Sequence, residues 1–205
     1  MGSKDMEIST LVQESLDGDL DSFNQIVLEF QDMVYHQAYR VIGEPDAAED
    51  ATQEAFISAY HKLHTYRGGS FKSWLLRIVT NACYDELRRR QRQPVTPLKP
   101  EDDYGEEMDS PSWMEDPGEI PEETLQRSEL SDAIQHCLDK LDQKFRMIVV
   151  LVDIQGLDYA SAADVIDRPL GTIKSRLARA RQSLQECLEG FGELLPVDLR
   201  QESEV

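Results

Sequence analysis

One long stretch of the chain cannot belong to a folded core. Residues 93–123 hold six of the nine prolines and eleven acidic residues, against a single cation, Lys99. Proline removes a backbone donor and dense like charge opposes collapse, so this composition predicts an extended, mostly disordered linker. We therefore expect two small domains, residues 5–92 and 124–190, followed by a tail, residues 191–205.

Both segments beside the linker carry apolar residues at helical spacing. The N-terminal segment predicts four helices, the third beginning at Asp46 and the fourth running from about Phe71 to Arg92. No stretch alternates apolar and polar residues for long enough to indicate a strand. The predicted fold class is all-α, with a four-helix N-terminal domain joined to a C-terminal helical domain by the acidic, proline-rich linker.

The C-terminal segment predicts a helix-turn-helix. Asp158 is a good N-cap for a short helix, and Asp167-Arg168-Pro169 breaks that helix because proline cannot continue it. A second helix opens around residues 169–172. Its apolar residues are spaced four, three and four apart and form one stripe: Ile173, Leu177, Ala180 and Leu184.

The other faces of that second helix are polar and cationic, as the major groove of DNA requires. The alternative is an ordinary surface helix with solvated arginines. Two features favour DNA binding: the short helix and tight break complete the motif, and no acidic residue interrupts the span from Arg168 to Arg181. The side chains concerned are Lys174, Ser175, Arg176, Arg179 and Arg181.

The net charge of the whole chain argues against DNA binding, but the charge is distributed unevenly along the sequence. The protein has 21 Lys and Arg against 40 Asp and Glu, a formal net charge of -19. Residues 66–92 nevertheless carry seven cations and two acids, and residues 165–182 carry five cations and one acid. Two basic segments on an acidic protein indicate DNA contact that depends on a further component, so the isolated chain should bind DNA poorly.

The remaining composition predicts a cytoplasmic protein without a cofactor. Cys83, Cys137 and Cys187 are widely spaced, so we expect neither a disulfide nor a zinc site, but three small, partly buried residues in a reducing compartment. No apolar run reaches the length of a membrane span and no signal peptide opens the chain. No nucleophile–base pair, close carboxylate pair or phosphate-binding glycine loop indicates an enzyme.

Three segments together resemble one family. Residues 44–60 (EPDAAEDATQEAFISAY), 70–90 (SFKSWLLRIVTNACYDELRRR) and 138–181 (LDKLDQKFRMIVVL through the helix-turn-helix) are similar to the conserved regions of sigma-70 family RNA polymerase sigma factors of the extracytoplasmic-function (ECF) class. The resemblance implies a non-enzymatic transcription initiation factor with a sigma2-like and a sigma4-like domain. It would be cytoplasmic, and nucleoid-associated in the holoenzyme.

The resemblance implies a polymerase-binding face on the third helix, directed at the clamp helices of the largest polymerase subunit. For Glu49 the alternative is a capping box with Asp46, and both roles can hold because a capping carboxylate keeps an exposed edge. For Asp50 and Gln53 the alternative is a solvated helix face. The residues of this face are Asp46, Glu49, Asp50, Gln53 and Glu54.

The resemblance also implies a promoter-melting surface for the -10 element. Its loop would hold a base flipped from the non-template strand, at a stacking cost of a few kcal/mol. Phe71 and Trp74 could stack on that base or pack in the core, and we expect Trp74 in the core. The implied residues are Arg67, Ser70, Phe71, Lys72, Arg77, Asn81, Asp85, Arg88 and Arg89.

The implied recognition helix for the -35 element uses Arg168, Thr172, Lys174, Ser175, Arg176 and Arg179. Arg168 lies at the helix entry and suits phosphate contact. The helix before the motif would share its apolar side chains between the core and an edge that docks the polymerase flap tip. These side chains are Phe145, Ile148, Val149, Leu151 and Val152.

Several functional alternatives stay open at this point. The acidic linker is either a passive tether or a polyanion that threads the RNA channel of polymerase. The family resemblance implies an anti-sigma factor as a further partner, with no membrane insertion of the chain itself. A stand-alone helix-turn-helix regulator would not need the 46–60 and 70–90 segments, and a protein-only adaptor would not need two basic helices.

Overall fold

The computed structural model describes residues 3–92 and 121–194, and side-chain surroundings within 7–92 and 128–194. Every regular element in these ranges is helical, which confirms the all-α class. A 3-10 turn follows α3, a π-helical segment follows α6, and a 3-10 turn follows α8. The helices are α1 (Ser3–Leu16), α2 (Leu20–Ile42), α3 (Pro45–Lys62), α4 (Phe71–Arg92), α5 (Pro121–Asp139), α6 (Gln143–Val149), α7 (Tyr159–Ile166) and α8 (Leu170–Leu188).

The predicted linker lies mostly outside the described residues. Helix α5 begins at Pro121, inside the last positions of the 93–123 stretch. The two hypotheses for the linker, tether and channel occupant, therefore stay predictions, as do the domain boundaries.

A tight turn joins α2 to α3 and corrects one expectation. Gly43 has a φ of 83° and its N–H donates to the carbonyl of Tyr39, a left-handed C-cap that glycine adopts at little cost. Pro45 occupies the first turn of α3 after Glu44, whose side chain makes no capping hydrogen bond. The capping box of Asp46 and Glu49 is therefore wrong, because α3 begins one residue earlier than predicted.

The core of the N-terminal domain is built on small residues of α3. Ala48, Ala55 and Ala59 are buried and allow α2 and α4 to approach closely, and Leu75 and Leu76 of α4 fill the space between them. The residues buried along α4 also include Val79, Thr80 and Cys83. Thr80 accepts from the Gln37 amide of α2 at 3.4 Å, and α4 also contacts α3 and, in the C-terminal domain, α7.

The helix-turn-helix is confirmed. Asp158 caps α7 by accepting from the N–H of Ser161 at 2.8 Å. Asp167 closes α7 in the left-handed conformation, with a φ of 55°, and Pro169 then leads into α8. The stripe Ile173, Leu177, Ala180 is buried and Leu184 packs against it half-buried. An aspartate tolerates positive φ better than most residues, which lets the chain turn without glycine.

The cysteine expectation is wrong at two positions. Cys137 of α5 and Cys187 of α8 form a disulfide across 50 residues of sequence, with their Cα atoms 5.7 Å apart. Cys83 is the buried free thiol, as predicted, and burial raises its pKa to about 12. The spacing of the cysteines along the sequence did not indicate this disulfide, because the two cysteines meet only when α5 and α8 pack side by side.

The two domains also dock on each other. Helix α2 contacts α5, α6 and the π-helical segment, and α4 contacts α7. The buried apolar side chains of both domains form one continuous cluster. Within the described residues, the basic and acidic faces predicted from the sequence therefore lie on one packed unit.

Candidate nucleic-acid and polymerase interface

The loop before α4 is a compact turn. Gly68 and Gly69 both have positive φ, 90° and 88°, a conformation that glycine adopts readily. The Tyr66 hydroxyl donates to the carbonyl of Gly69 at 2.7 Å, and the Ser70 hydroxyl accepts from the N–H of Ser73 at 3.2 Å. This turn leaves Arg67 exposed at its tip and caps the start of α4 through Ser70.

The aromatic residues around this loop form a packed cluster. Phe71 is buried, and its ring centroid lies 5.1–5.3 Å from those of Phe30, Tyr66 and Trp74. Trp74 is half-buried, packs against the core and directs Nε1 toward the Thr65 hydroxyl at 3.4 Å. Core packing of Trp74 agrees with expectation. The buried ring of Phe71 lies beneath the loop, and its role toward the -10 element stays a prediction.

The outer face of α4 presents a row of polar side chains. Arg77, Asn81, Asp85 and Arg88 are exposed at spacings of three and four residues, so they line one side of the helix. Arg88 pairs with Asp85 at 3.3 Å, with both side chains mostly exposed. The face thus combines hydrogen-bonding groups with cations, as single-strand capture requires.

The end of α4 is tied to the start of α3 by an ion-pair network. Glu86, 9% exposed, accepts from Arg89 Nε at 2.7 Å and from Arg90 Nε at 2.9 Å. Arg90 also pairs with Glu44, and Arg89 lies 3.9 Å from Asp50. Hydrogen bonding to Glu86 raises the pKa of Arg89. Arg89, a predicted DNA contact, therefore pairs with Asp50, a predicted polymerase contact.

The acidic face of α3 is open. An exposed isoleucine lies on the same helix, one turn after Gln53 and Glu54: Ile57 is 54% exposed. Sequence reasoning missed this residue, because a single apolar residue on a polar face carries no periodic signal. All five predicted polymerase contacts are exposed: Asp46, Glu49, Asp50, Gln53 and Glu54.

The recognition helix α8 exposes its predicted contacts unevenly. Lys174, Ser175 and Arg179 are exposed, whereas Thr172 and Arg176 are half-buried. Arg168 is exposed before the helix and donates to the carbonyl of Asp167 at 2.9 Å. Arg181 is engaged elsewhere, because its Nε donates to Asp153 at 3.1 Å.

Helices α4 and α8 meet at a basic cleft, which we define by Tyr84, Arg88, Lys144, Ile166, Arg168 and Arg176 and which has a volume of about 300 Å³. Burial raises the pKa of Tyr84, and the charges of Arg176 and Arg168 oppose that rise. The structure therefore brings predicted -10 and -35 contacts together in the lining of one cleft, which the sequence did not indicate.

Comparison with known proteins assigns the family. The family model Sigma-70 region 2 matches residues 26–93, and the model Sigma-70, region 4 matches residues 131–184. The ECF RNA polymerase sigma factor SigW of Bacillus subtilis is 34% identical over 185 residues, which cover 90% of this chain and 98% of SigW. The chain belongs to the sigma-70 family, in its ECF class.

Two other relatives support the same family assignment. The ECF sigma-E factor of Escherichia coli K12 is 31% identical over 192 residues, covering 91% of this chain and 97% of that factor. SigE of Mycolicibacterium smegmatis is 38% identical over 169 residues, covering 82% of this chain and 62% of SigE. The chain thus spans nearly the full length of two relatives and less than two thirds of the third.

A solved sigma factor has the same fold. The sigma factor RpoE of Bartonella quintana, solved with the anti-sigma factor NepR, superposes with a TM-score of 0.60 at 25% identity, over 82% of this chain and 96% of that one. CnrH, solved with the cytosolic domain of CnrY, has a TM-score of 0.62 at 24% identity and covers 90% of this chain and 98% of that one.

As a sigma factor, this protein directs promoter-specific transcription initiation through RNA polymerase. Its family is one of transcription initiation factors rather than catalytic enzymes. The region 2 match contains α3 and α4, and the region 4 match contains the helix-turn-helix. In the described ranges, none of the helices combines the length and apolar character needed to cross a membrane.

Proposed function

We propose a division of labour among three helices of this sigma factor. Helix α3 binds the clamp helices of the largest polymerase subunit, α4 with its preceding loop captures and opens the -10 element, and α8 reads the -35 element. The observation that carries this proposal is that the acidic face of α3 adjoins the polar-cationic face of α4: Arg89 of α4, which pairs with Glu86, lies 3.9 Å from Asp50 of α3. The two proposed faces are therefore neighbours on one domain.

The structure refines the residues of each face. On α3 we add Ile57 to the five polar contacts, because an exposed apolar side chain among charges supplies the desolvated centre of an interface. On α4 we keep Arg77, Asn81 and Arg88 as DNA contacts and give Phe71 a supporting role beneath the loop.

We expect the free chain to bind promoter DNA weakly and the holoenzyme to bind it tightly, because most of the body repels phosphate at a net charge of -19. Anisotropy titrations of one labelled promoter fragment at near-physiological salt would compare the chain alone, core polymerase alone and their complex. Sub-micromolar specific binding by the free chain would instead identify a stand-alone helix-turn-helix regulator.

Replacement of Asn81 with Ala should impair promoter opening by about tenfold while closed-complex binding changes little, because its exposed amide meets single-stranded DNA only after melting. Permanganate footprinting on ordinary and pre-melted templates measures the two steps separately. Asn24→Ala is the matched control, since Asn24 is an exposed asparagine on α2. If pre-melted DNA rescues none of the Asn81→Ala defect, Asn81 does not act in melting, and capture of the opened strand is its one proposed role.

We propose an anti-sigma factor as the regulatory partner. We also propose that this protein is cytoplasmic and that its holoenzyme associates with the nucleoid. The support is the fold shared with a sigma factor that was solved bound to an anti-sigma factor. Such a partner would cover surfaces that polymerase and DNA otherwise occupy.

A further inference from the structure

The basic cleft carries charge of one sign only. Its volume is about 300 Å³, and like charges held in so small a space repel one another. An anion that enters the cleft removes this repulsion. The lining contains no acidic residue, and four of its six members are cations: Arg88, Lys144, Arg168 and Arg176.

Two of these cations have no acidic partner in the described part of the chain: Arg168 and Arg176. Arg168 donates to the backbone carbonyl of Asp167 at 2.9 Å. Arg176 is half-buried, and its charge acts on the nearby Tyr84. A half-buried guanidinium without a counter-charge is unfavourably desolvated, and a bound anion offsets that cost.

The other two cations have partners that a ligand can replace. Arg88 lies 3.3 Å from Asp85, and Lys144 Nζ lies 3.1 Å from Asp142. All four side chains of these pairs are more than half exposed, and ion pairs so exposed contribute little to stability. Phosphate oxygens can therefore take the place of these carboxylates.

The two remaining residues of the lining are less exposed and are not charged. Tyr84 and Ile166 are half-buried, whereas three of the cations around them are exposed. Burial raises the pKa of Tyr84, so its hydroxyl stays protonated near neutral pH and can donate to a phosphate oxygen. An aromatic and an aliphatic side chain among cations also suit the flat ring of a nucleobase.

Hydrogen bonds between the two domains fix the residues of the cleft relative to one another. Lys72 Nζ of α4 donates to the carbonyl of Gln155 at 2.6 Å, and Arg40 of α2 donates to the Ser131 hydroxyl of α5 at 2.8 Å. The lining is therefore already assembled in the free chain, and a preorganised site binds its ligand at a lower entropic cost.

The neighbouring cleft provides a contrast. It is larger, at about 500 Å³, and combines Arg77 and Arg168 with Asp164 and Asp167. Two acids beside two cations leave no excess of positive charge for an anion. The basic cleft is therefore distinguished by its charge and not by its size.

We propose that the basic cleft binds a small molecule with two or more linked phosphate groups, of the class of pyrophosphate and the nucleoside polyphosphates. Arg168 and Arg176 supply the unpaired charge, and guanidinium groups bind phosphate oxygens in a bidentate manner. Lys144 and Tyr84 add an ammonium and a hydroxyl donor. The site goes beyond the proposed function, because neither Lys144 nor Tyr84 belongs to the proposed polymerase and DNA contacts.

The test is calorimetric titration of the full chain, without polymerase or DNA, with pyrophosphate, ATP and inorganic phosphate at near-physiological salt. Pyrophosphate and ATP should bind at least about tenfold more tightly than phosphate, because a single phosphate group engages fewer of the cations. Tighter binding of ATP than of pyrophosphate would place a nucleoside against Tyr84 and Ile166. Equal affinities would assign binding to the phosphates alone, and either result supports the site.

Lys144→Ala and Arg176→Ala should each weaken pyrophosphate binding by about tenfold. Lys140→Ala is the matched control, because Lys140 is an exposed lysine outside the lining of the cleft, and it should bind as the wild type does. Circular dichroism checks that each variant is folded. If the half-buried Arg176 proves necessary for folding, the exposed Lys144 decides.

Three outcomes would overturn the site. The first is no binding of pyrophosphate at millimolar concentration, and the second is an equal loss in Lys140→Ala and Lys144→Ala, which would indicate unspecific attraction. The third is Lys144-dependent binding of a single-stranded oligonucleotide without binding of pyrophosphate, which would make the cleft a nucleic-acid contact. Because the titrations use neither polymerase nor promoter, loss of the site leaves the proposed function standing.

Discussion

Reduction of the Cys137–Cys187 disulfide should lower the free energy of unfolding of the C-terminal domain by up to about 4 kcal/mol. The bond joins α5 to α8 across 50 residues, and a crosslink of that span removes conformational entropy from the unfolded chain. Chemical denaturation of the wild type with and without reductant measures the effect as a shift in midpoint. Cys187→Ser should reproduce the reduced wild type and be insensitive to reductant.

Alkylation of native protein supplies the control for this prediction. Without reductant no thiol should react, because Cys137 and Cys187 are bonded and Cys83 is buried with a pKa of about 12. After reduction the half-buried Cys187 should become reactive, whereas Cys137 and Cys83, both buried, should react only on unfolding. Equal midpoints with and without reductant, together with a Cys187 thiol that reacts in the unreduced protein, would show that the bond does not form in solution.

Replacement of Arg176 or Arg179 with Ala should weaken holoenzyme binding to the -35 duplex by about 1–3 kcal/mol, if the guanidinium contacts base edges. Both lie on α8, with Arg179 exposed and Arg176 half-buried beside the basic cleft. The loss should be largest on the cognate sequence and small on substituted sites. Anisotropy competition with single-base variants, at one fixed salt concentration, measures this difference.

Two other arginines of the same motif provide controls. Arg168→Ala should weaken all sequences about equally and reduce the salt dependence, as loss of a phosphate contact does. Arg181→Ala should change binding little, because Arg181 pairs with Asp153. Equal losses on cognate and substituted sites for Arg176→Ala and Arg179→Ala would assign both residues to phosphate contact.

The local architecture of this protein is determined by its sequence. The helix-turn-helix follows from Asp158 as a cap, the break at Asp167 to Pro169 and the apolar stripe of α8, and each of these signals acts within a few residues. The bounds predicted for α4, Phe71 to Arg92, are confirmed for the same reason. The beginning of α3 was misplaced by one residue because Pro45 competes with Asp46 for the first turn.

Only the tertiary structure decided which groups meet across long separations. The burial of Phe71, the bridge from Arg89 to Asp50, the Cys137–Cys187 bond and the contact of Arg40 with Ser131 each join elements distant in sequence. Periodicity shows which face of a helix is apolar, but it carries no information about the neighbour that covers that face. Helix α4 shows this limit: Thr80 is buried where it accepts from the Gln37 amide of α2 at 3.4 Å, 43 residues away in sequence.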